Sequence, residues 1–548
     1  DTAHIAVTGA IPGSLTLSAD AGIILYGSSI SSSGGAMPVS VLAGRSGTGS
    51  ITLQNTSIRT AGGNLLLGGY STGLNPDGGS FGNAAATGVW IRDFSVLDAS
   101  TGRLEINSAA SGQQSAAIYV GNGNSRFTGS DIVLRGYSAD ASGVVISDVT
   151  MVASHGIDIQ GRGAGTGVRI SSAEYLTLLS VAPSRVDSTA ALALTGRSDG
   201  TAQGVLVRSA PNLAGYTSQI RVTNGAAMRI RGANAATQAS VGTAAVALQK
   251  DVASVASDIL LYSDASGGPI SVSTFGANAS NSISLEKGTV TAEASTVTMD
   301  TPLWLFMDRA DIRAGGQIDL RAGGISMVGS TVSSSASGEA IWLRGAGALR
   351  PGIDSFSNVD SDGNDNPDAL SAPNGRWIVW GYSVLPQSAF DFHDGGLRYD
   401  FKRYGVTDVG SWAADGGNGF VFSAGQTASV SLSTLDKAYD GSAAAQLSGG
   451  SAAGVVGDNG SLRPNATAGF ADKNAGTGKT VSLTSADPFA MFDSQGKPVY
   501  GYTFTGTGSA TITRAQLMAT QIAAQDKVYD ATTRATVSVS AITGLIGN

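Results

Sequence analysis

The sequence predicts an all-β protein in which a right-handed parallel β-helix, a solenoid, is followed by small β-sandwich modules. The first observation is a short sequence motif that recurs between residues 88 and 232. In each copy apolar residues alternate with other residues, and a polar turn follows. Its copies are GVWIRD at Gly88, AIYVGN at Ala117, GVVISD at Gly143, GVRISS at Gly167, GVLVRS at Gly204 and AMRIRG at Ala227. Alternation over a few residues is typical of a strand, and a loose repeat of this length indicates a repeat architecture.

The second observation is that each period holds three short strands. GVVISD at Gly143 is followed by VTMVAS and then by HGIDIQGRGAGT. The joining turns are too short for the long crossovers that a doubly wound parallel sheet needs. They suit a solenoid, in which equivalent strands of successive turns stack about 4.8 Å apart and bury their Val, Ile and Leu side chains together.

Similar short alternating segments separated by polar turns occur throughout residues 1–350, so we assign that whole range to the parallel β-helix. Four arginines near strand ends are expected on its outside: Arg169, Arg208, Arg229 and Arg231. If these arginines stack in a row, they form a positively charged strip that would bind an anionic polymer. If they are isolated, they are simply solvent-exposed charges on the outer face. The loop at residues 71–87 is too long for a tight turn and should protrude.

Composition narrows the class of protein and its partners. The chain has 548 residues, 76 of them Gly, with 42% hydrophobic, 14% charged and 6% aromatic residues. Its formal net charge of −8 disfavours nucleic acid and anionic membranes as partners, and we find no apolar run long enough for membrane insertion. The absence of cysteine favours export through an oxidising periplasm. We expect the chain to be a piece of a longer protein, because it starts without Met and stops inside a repeat.

Residues 351–426 are predicted to hold an acidic loop and an aromatic-rich cap or transition region. In the loop, FSNVDSDGNDNPDAL places oxygen-bearing side chains at alternate positions before a glycine, as the first half of a calcium loop does. The match then fails, since Ala369 stands where such a loop has glutamate. Calcium is therefore weighed against a flexible acidic loop, with these candidate ligands: Asn358, Asp360, Asp362 and Asp365.

The aromatic stretch that follows supports two interpretations. Exposed rings can stack on the apolar faces of sugars and so bind carbohydrate. Buried rings would instead close the open end of the solenoid, where the last turn otherwise exposes apolar surface. The candidate ligand-binding residues are Trp377, Trp380, Tyr382, Tyr399 and Tyr404.

A second repeat begins near residue 427. DKAYDGSAAA at Asp436 is echoed by DKVYDATTRA at Asp526, and alternating segments separated by turns lie between them. This pattern predicts a small β module at residues 427–516 and the start of a second, truncated one at residues 517–548.

These residues carry a family resemblance. DKAYDGSAAA, FADKNAGTGKTVSL and YTFTGTGSATITRAQL resemble the YDG-type module of large secreted bacterial adhesins. The solenoid and the stretch from GRWIVW to GNGFVFSA are similar to the filamentous-haemagglutinin class exported by two-partner secretion. The resemblance implies a secreted, extracellular or cell-surface adhesin that uses an outer-membrane transporter during export. It implies attachment to polysaccharide or to surface glycoconjugates of a host or neighbouring cell, cell–cell aggregation or biofilm formation.

Two alternatives to an adhesin remain. Parallel β-helices also carry polysaccharide lyases and glycosidases, which need carboxylates gathered on one outward face. Asp93 and Asp148 occupy the same place in two copies of the repeat, but Asn122, between them, breaks the row. We therefore expect no enzyme activity. The other alternative is a purely structural spacer within a longer exoprotein.

Overall fold

The computed structural model describes residues 4–8, 13–110, 115–171, 177–180, 192–208, 218–223, 225–238, 240–249, 259–265, 267–276, 281–345, 355–384, 392–408 and 415–546. These residues form strands and turns, with one three-residue 3-10 turn at Val241–Thr243. None of the described segments is a helix long and apolar enough to span a membrane. The chain divides into a first unit, Asp1–Tyr399 with Gly417–Ser423, and a second, Asp400–Gly416 with Ala424–Asn548.

The first unit is a stack of turns whose strands pair in parallel with the equivalent strands of the turns before and after. The described strands lie on three faces that follow one another in the order A, B and C, and over most of the stack each strand pairs with the one three places further along, as in Ser29↔Ser57 on face A. The interval is five places across the hairpin at residues 71–84 and two places where a single long strand serves faces A and B. This is the parallel β-helix expected from the three strands in each period.

Face A contains strands His4–Val7, Ser29–Ser32, Ser57–Arg59, Val96–Asp98, Ser125–Ser138, Val149–Gly163, Thr177–Ser180, Ser218–Val222, Ile259–Ser263, Gly288–Ala292, Asp311–Ala314, Thr331–Ser334 and Leu370–Ser371. Face B contains Leu15–Ala19, Val39–Ala43, Leu65–Gly69, Leu104–Ala110, the second halves of Ser125–Ser138 and Val149–Gly163, Leu192–Ser198, Met228–Ala233, Ile270–Thr274, Val297–Asp300, Ile318–Arg321, Gly338–Arg344, Gly375–Gly381 and Gly419–Phe422. Face C contains Ile23–Tyr26, Ser50–Gln54, Gly88–Arg92, Ala116–Gly121, Ser142–Ile146, Val168–Ser171, Val205–Arg208, Val246–Gln249, Ile283–Glu286, Trp304–Asp308, Gly324–Val328, Ser355–Val359 and Phe392–His393.

The core is made of columns of apolar side chains that run through the stack. One column on face C consists of fully buried Ile51, Val89, Ile118, Val144, Val168, Val205, Val246, Ile283, Leu305, Ile325 and Phe356. β-branched and other aliphatic side chains pack well on a pleated surface, and burying each one stabilises the fold by about 1.5–3 kcal/mol. No single turn encloses this column, so the stabilisation depends on neighbouring turns.

The structure corrects the phase of one repeat copy. AMRIRG at Ala227 forms Met228–Ala233 on face B, paired with Leu192–Ser198, whereas the other copies lie on face C. The face C successor of Val205–Arg208 is Val246–Gln249. Arg229 and Arg231 therefore lie on a different face from Arg169 and Arg208, and the predicted row of four arginines does not form.

The stack also extends beyond the boundary placed at residue 350. Residues 346–354 lie outside the described residues, but Gly375–Gly381 and Gly419–Phe422 continue face B in parallel register. Ser355–Val359 and Phe392–His393 continue face C. The shift from aliphatic to aromatic residues in the sequence marks a change in the side chains that fill the interior, while the described strands keep the same parallel register.

Besides a separate hairpin, the described part of the second unit contains two sheets, with both antiparallel and parallel pairings. The first sheet comprises Phe401–Arg403, Gln426–Thr434, Leu447–Ala453, Asn459–Leu462, Phe489–Phe492, Pro498–Tyr500 and Tyr502–Thr505. The second comprises Lys437–Ala438, Ala444–Ala445, Ala468–Phe470, Gly476–Leu483 and Gly508–Thr513. Phe470, Val481 and Ile512 form a buried cluster against which Leu447 of the first sheet packs. Met518–Ala524 and Val537–Thr543 form a separate hairpin with mostly exposed side chains.

Candidate functional site

The aromatic candidates of the first unit lie mainly inside the stack. Trp377, Trp380 and Tyr399 are each at most 3% exposed, and Tyr382 is half-buried. The Trp377 and Tyr399 rings meet Phe420 edge to face, at centroid distances of 5.4 and 5.1 Å. Such contacts fill the interior of the last turns, as the cap interpretation requires. Burial leaves Trp377, Trp380 and Tyr399 no open face on which a sugar could stack.

Tyr404 belongs to the second unit and is also buried. Its hydroxyl donates to Asp458 Oδ2 at 3.0 Å, and the hydroxyl of Tyr502 donates to the same oxygen at 2.7 Å. Burial, together with the nearby carboxylate, raises the pKa of both tyrosines above the ordinary value, so both remain neutral donors. The hydrogen bond of Tyr404 thus holds residues 400–408 against the turn that contains Asp458.

The candidate calcium loop is closed by its own hydrogen bonds. Asp360 Oδ1 accepts the backbone N–H groups of Asp362 and Asn364, and these bonds lower the pKa of Asp360. Asp365 lies 3.4 Å from His393 Nε2. Asn358 is fully buried, donates to the Asn366 carbonyl and leaves its Oδ1 without a protein partner.

These groups do not form the oxygen cage that calcium needs. Among the described residues, no three His, Cys, Asp or Glu side chains are grouped so that they could hold a metal ion. Calcium takes six to eight oxygen ligands. In this loop Asp360 Oδ1 already accepts two N–H groups, and Asp365 faces His393. The calcium ligands proposed from the sequence therefore stay a prediction, without geometric support.

Asp93 and Asp148 lie in a column of turns at the end of face C. Both have left-handed backbone conformations, with φ of 54° and 49°, and Asn55 and Asn122 share that conformation in other turns of the stack. Asp93 N–H donates to the Asn122 carbonyl, which links successive turns of the column. Asn and Asp tolerate this conformation better than other non-glycine residues. Their recurrence is explained by backbone shape, and their spacing needs no catalytic role.

Face B contains a cluster of charged side chains that the sequence did not predict. Asp319 accepts from Arg321 at 2.6 Å and from Arg344 at 2.7 Å, and Asp300 lies 3.8 Å from Arg321. Burial would raise the pKa of Asp319, but the two guanidinium groups outweigh it and lower the pKa. Burial raises the pKa of Asp300. Asp319 and Arg321 lie two positions apart on one strand, but only the register Asp300↔Arg321↔Arg344 brings Asp300 and Arg344 beside them, and the sequence gave no sign of that.

The repeated DK-x-YD phrase builds a lysine-centred turn. Lys437 Nζ donates to Asp440 Oδ1 at 2.7 Å, to the Ser442 carbonyl at 2.9 Å and to Ser442 Oγ at 3.1 Å. The second copy repeats this arrangement with Lys527, Asp530 and Thr532, at 2.7, 2.9 and 3.0 Å. Each lysine therefore fixes the turn in which the motif lies.

Comparison with known families decides what this module resembles. Residues 425–509 match the YDG domain. The match begins one residue before the strand Gln426–Thr434 of the first sheet and ends within the strand Gly508–Thr513 of the second sheet. It includes the lysine-centred turn at Lys437 but leaves out the Phe401–Arg403 strand. No curated protein and no solved structure matches the chain significantly.

Two further features bear on binding. The loop predicted to protrude contains an antiparallel hairpin of Ser71–Leu74 and Ser80–Ala84. This hairpin lies against Leu104–Ala110 of face B, and its Phe81 and Ala84 are buried. A cleft in the second unit combines arginine, aspartate and aromatic side chains contributed by the YDG domain and by the strand Phe401–Arg403. The sequence reasoning missed the cleft because its residues come from segments up to about a hundred positions apart.

Proposed function

We propose that this chain is a non-catalytic part of a bacterial secreted or cell-surface adhesin of the filamentous-haemagglutinin type. It attaches to polysaccharide or to glycoconjugates of a host cell, a neighbouring cell or a matrix, and so promotes adhesion, aggregation or biofilm formation. The observation that carries the proposal is a YDG domain that follows a continuous parallel stack in one chain. By the same analogy, an outer-membrane transporter exports the protein by two-partner secretion.

Physical reasoning supports a mechanical and multivalent role. Parallel stacking gives each turn hydrogen bonds to both neighbours, which makes a solenoid stiff along its axis. Repeated turns present similar outward positions many times, so weak contacts to a repetitive polymer add up in avidity.

The test is a glycan array probed with the purified chain, together with an assay for newly released reducing ends on every glycan that binds. Binding without release is the expected result. Absence of binding to any glycan would favour the alternative of a structural spacer, and release of reducing ends would overturn the non-catalytic assignment.

The enzyme alternative has a specific location. Asp300 and Asp319 lie on successive turns of face B, and their environments shift their pKa values in opposite directions. Such a pair is typical of acid and base roles in glycoside cleavage. If the chain cleaves a glycan, Asp300→Asn should abolish the release of reducing ends. Asp311→Asn, on face A, is the control and should leave it unchanged.

A further inference from the structure

The second unit contains a cleft of about 250 Å³. The residues that line it and carry the argument are Arg403, Arg463, Asp487, Tyr500, Tyr502 and Phe504. Pockets for drug-sized ligands usually measure about 300–1,000 Å³, so this cleft suits a smaller group such as a single sugar ring.

Arg403 is held rigidly at one side of the cleft. Its Nε and Nη2 donate to Asp415 at 2.5 and 2.7 Å, and its guanidinium lies 4.9 Å from the centre of the Tyr500 ring. The Asp415 carboxylate, which is nearly buried, raises the pKa of Arg403 and balances its charge. A guanidinium that makes two hydrogen bonds to one carboxylate and stacks on an aromatic ring keeps its remaining N–H groups in a fixed direction.

Arg463 and Asp487 offer a donor and an acceptor next to each other. Arg463 Nη2 lies 3.1 Å from Asp487 Oδ2, and the Asp487 side chain is 68% exposed. Arg463 Nε is buried and has no protein partner among the described residues. A ligand therefore reaches this guanidinium through its Nη groups, in a side chain that is 35% exposed.

Apolar groups complete the walls. The Phe504 ring is half-buried and packs against Phe489 at a centroid distance of 5.2 Å. Met491 and Val499, each 3% exposed, also line the cleft. Aromatic and apolar walls with a few fixed polar groups are typical of small-molecule sites.

We propose that this cleft binds one neutral sugar ring of a polysaccharide through adjacent hydroxyl groups, an assignment that rests on the proposed glycan-binding function. One hydroxyl donates to Asp487, a neighbouring oxygen accepts from an Nη group of Arg463, and Phe504 covers an apolar face of the ring. The formal charges of Arg403, Arg463, Asp415 and Asp487 cancel, and the exposed Asp487 carboxylate repels an acidic ring. These features favour a neutral sugar over a uronate.

The site depends on a strand that the YDG match leaves out. Phe401–Arg403 pairs in parallel with Pro498–Tyr500 and places Arg403 beside Tyr500. Lys402 Nζ lies 3.1 Å from Asp493 Oδ2, which also holds this strand in place. The YDG domain alone, residues 425–509, therefore has only part of the cleft.

The experiment measures binding of the full chain to neutral glucose, galactose and mannose oligosaccharides and to their uronate counterparts. Asp487→Asn removes the carboxylate charge and Arg463→Lys removes the planar guanidinium, so each weakens the charge-assisted hydrogen bonds of the pair and should weaken binding about tenfold or more. Asp526→Asn and Arg534→Lys change the same residue types at exposed positions outside the cleft and should have no effect. Added salt should change the affinity little, because the ligand is uncharged.

The outcomes separate the cleft from the adhesin function. Weaker binding in both cleft variants, with unchanged melting temperatures and a preference for neutral sugars, supports the site. Glycan binding that survives both cleft variants, or that is confined to uronates, overturns the cleft proposal and leaves the adhesin function standing. If the unmodified chain binds no glycan, the adhesin function fails, and the cleft proposal fails with it.

Discussion

Aspartate carboxylates in this chain repeatedly accept the backbone N–H two residues further along. Asp360, Asp440, Asp472 and Asp530 all do so, at 2.7–3.0 Å. This bond closes a turn with a side chain in place of a backbone carbonyl. Several of the chain's Asp residues therefore shape turns, a role that the sequence alone does not separate from that of a catalytic carboxylate.

The turn at Lys437 should loosen in acid. The hydrogen bond from Lys437, followed by the Ser442 N–H, lowers the pKa of Asp440 from 3.8 to about 2. A lowered pKa in the folded state means that the stabilising contribution is complete above about pH 4 and is lost as the pH falls through about 2. Amide exchange at Ser442 should therefore show a protection that falls across this window. Asp440→Asn should remove the dependence; an unchanged pH profile in that variant would contradict the assignment.

Tyr404→Phe should destabilise the second unit by about 1–3 kcal/mol, because it leaves the buried Asp458 with one hydroxyl donor fewer. Tyr529→Phe removes a hydroxyl from a side chain that is 90% exposed and should be neutral. Denaturant unfolding of the two variants measures the difference. Equal stabilities would show that the hydroxyl of Tyr404 contributes nothing to the fold.

At the scale of strands and turns, the sequence predicted the stack well because alternation and short turns leave few alternatives. The sequence assigned the copy at Ala227 to the wrong face, because a short alternating segment of this kind fits any face of the stack. Only the pairing Met228↔Leu192 shows that it belongs to face B. The end of the solenoid was misjudged for a related reason: Trp377 and Phe420 fill the interior as aliphatic residues do elsewhere. Hydropathy reveals that a residue is buried, but the identity of its neighbours depends on register.

Substitutions in the column of left-handed turns that contains Asp93, Asn122 and Asp148 should differ strongly in their effect on stability. Asn122 has a φ of 60° and sits between the turns of Asp93 and Asp148. Asn122→Val forces a β-branched residue into this conformation and should cost at least about 1–2 kcal/mol, whereas Asn122→Gly should be close to neutral. Melting temperatures of the two variants provide the measurement. A glycine variant as unstable as the valine variant would mean that the amide side chain, and not the backbone, matters there.

The loop around Asp360 should not depend on calcium, because its own N–H groups already occupy Asp360 Oδ1. A melting curve with added calcium should overlay one recorded with a chelator. A clear rise in melting temperature with calcium would restore the ligands proposed from the sequence, and Asp362→Asn should then abolish that rise.

For the chain as a whole, the two units bury their apolar groups in different ways. The solenoid spreads its core along a column such as Ile51 to Phe356, where each side chain relies on the turns before and after. The second unit gathers its core between two sheets around Phe470 and Val481. Stability in the first unit is therefore close to a sum of neighbour contributions, while the second unit is expected to unfold more nearly all at once.

This difference predicts a gradient of amide exchange along the solenoid. In the strand Ile23–Tyr26 the inward side chains are only half-buried, whereas those of Gly88–Arg92 are fully buried and the strand pairs on both sides. Local opening costs less where fewer apolar contacts are lost, so amides of Ile23–Tyr26 should exchange markedly faster. Ala116–Gly121, another interior strand, serves as the control and should match Gly88–Arg92. Uniform protection across all three strands would indicate that the solenoid opens as one cooperative unit and that the neighbour-by-neighbour account of its stability is wrong.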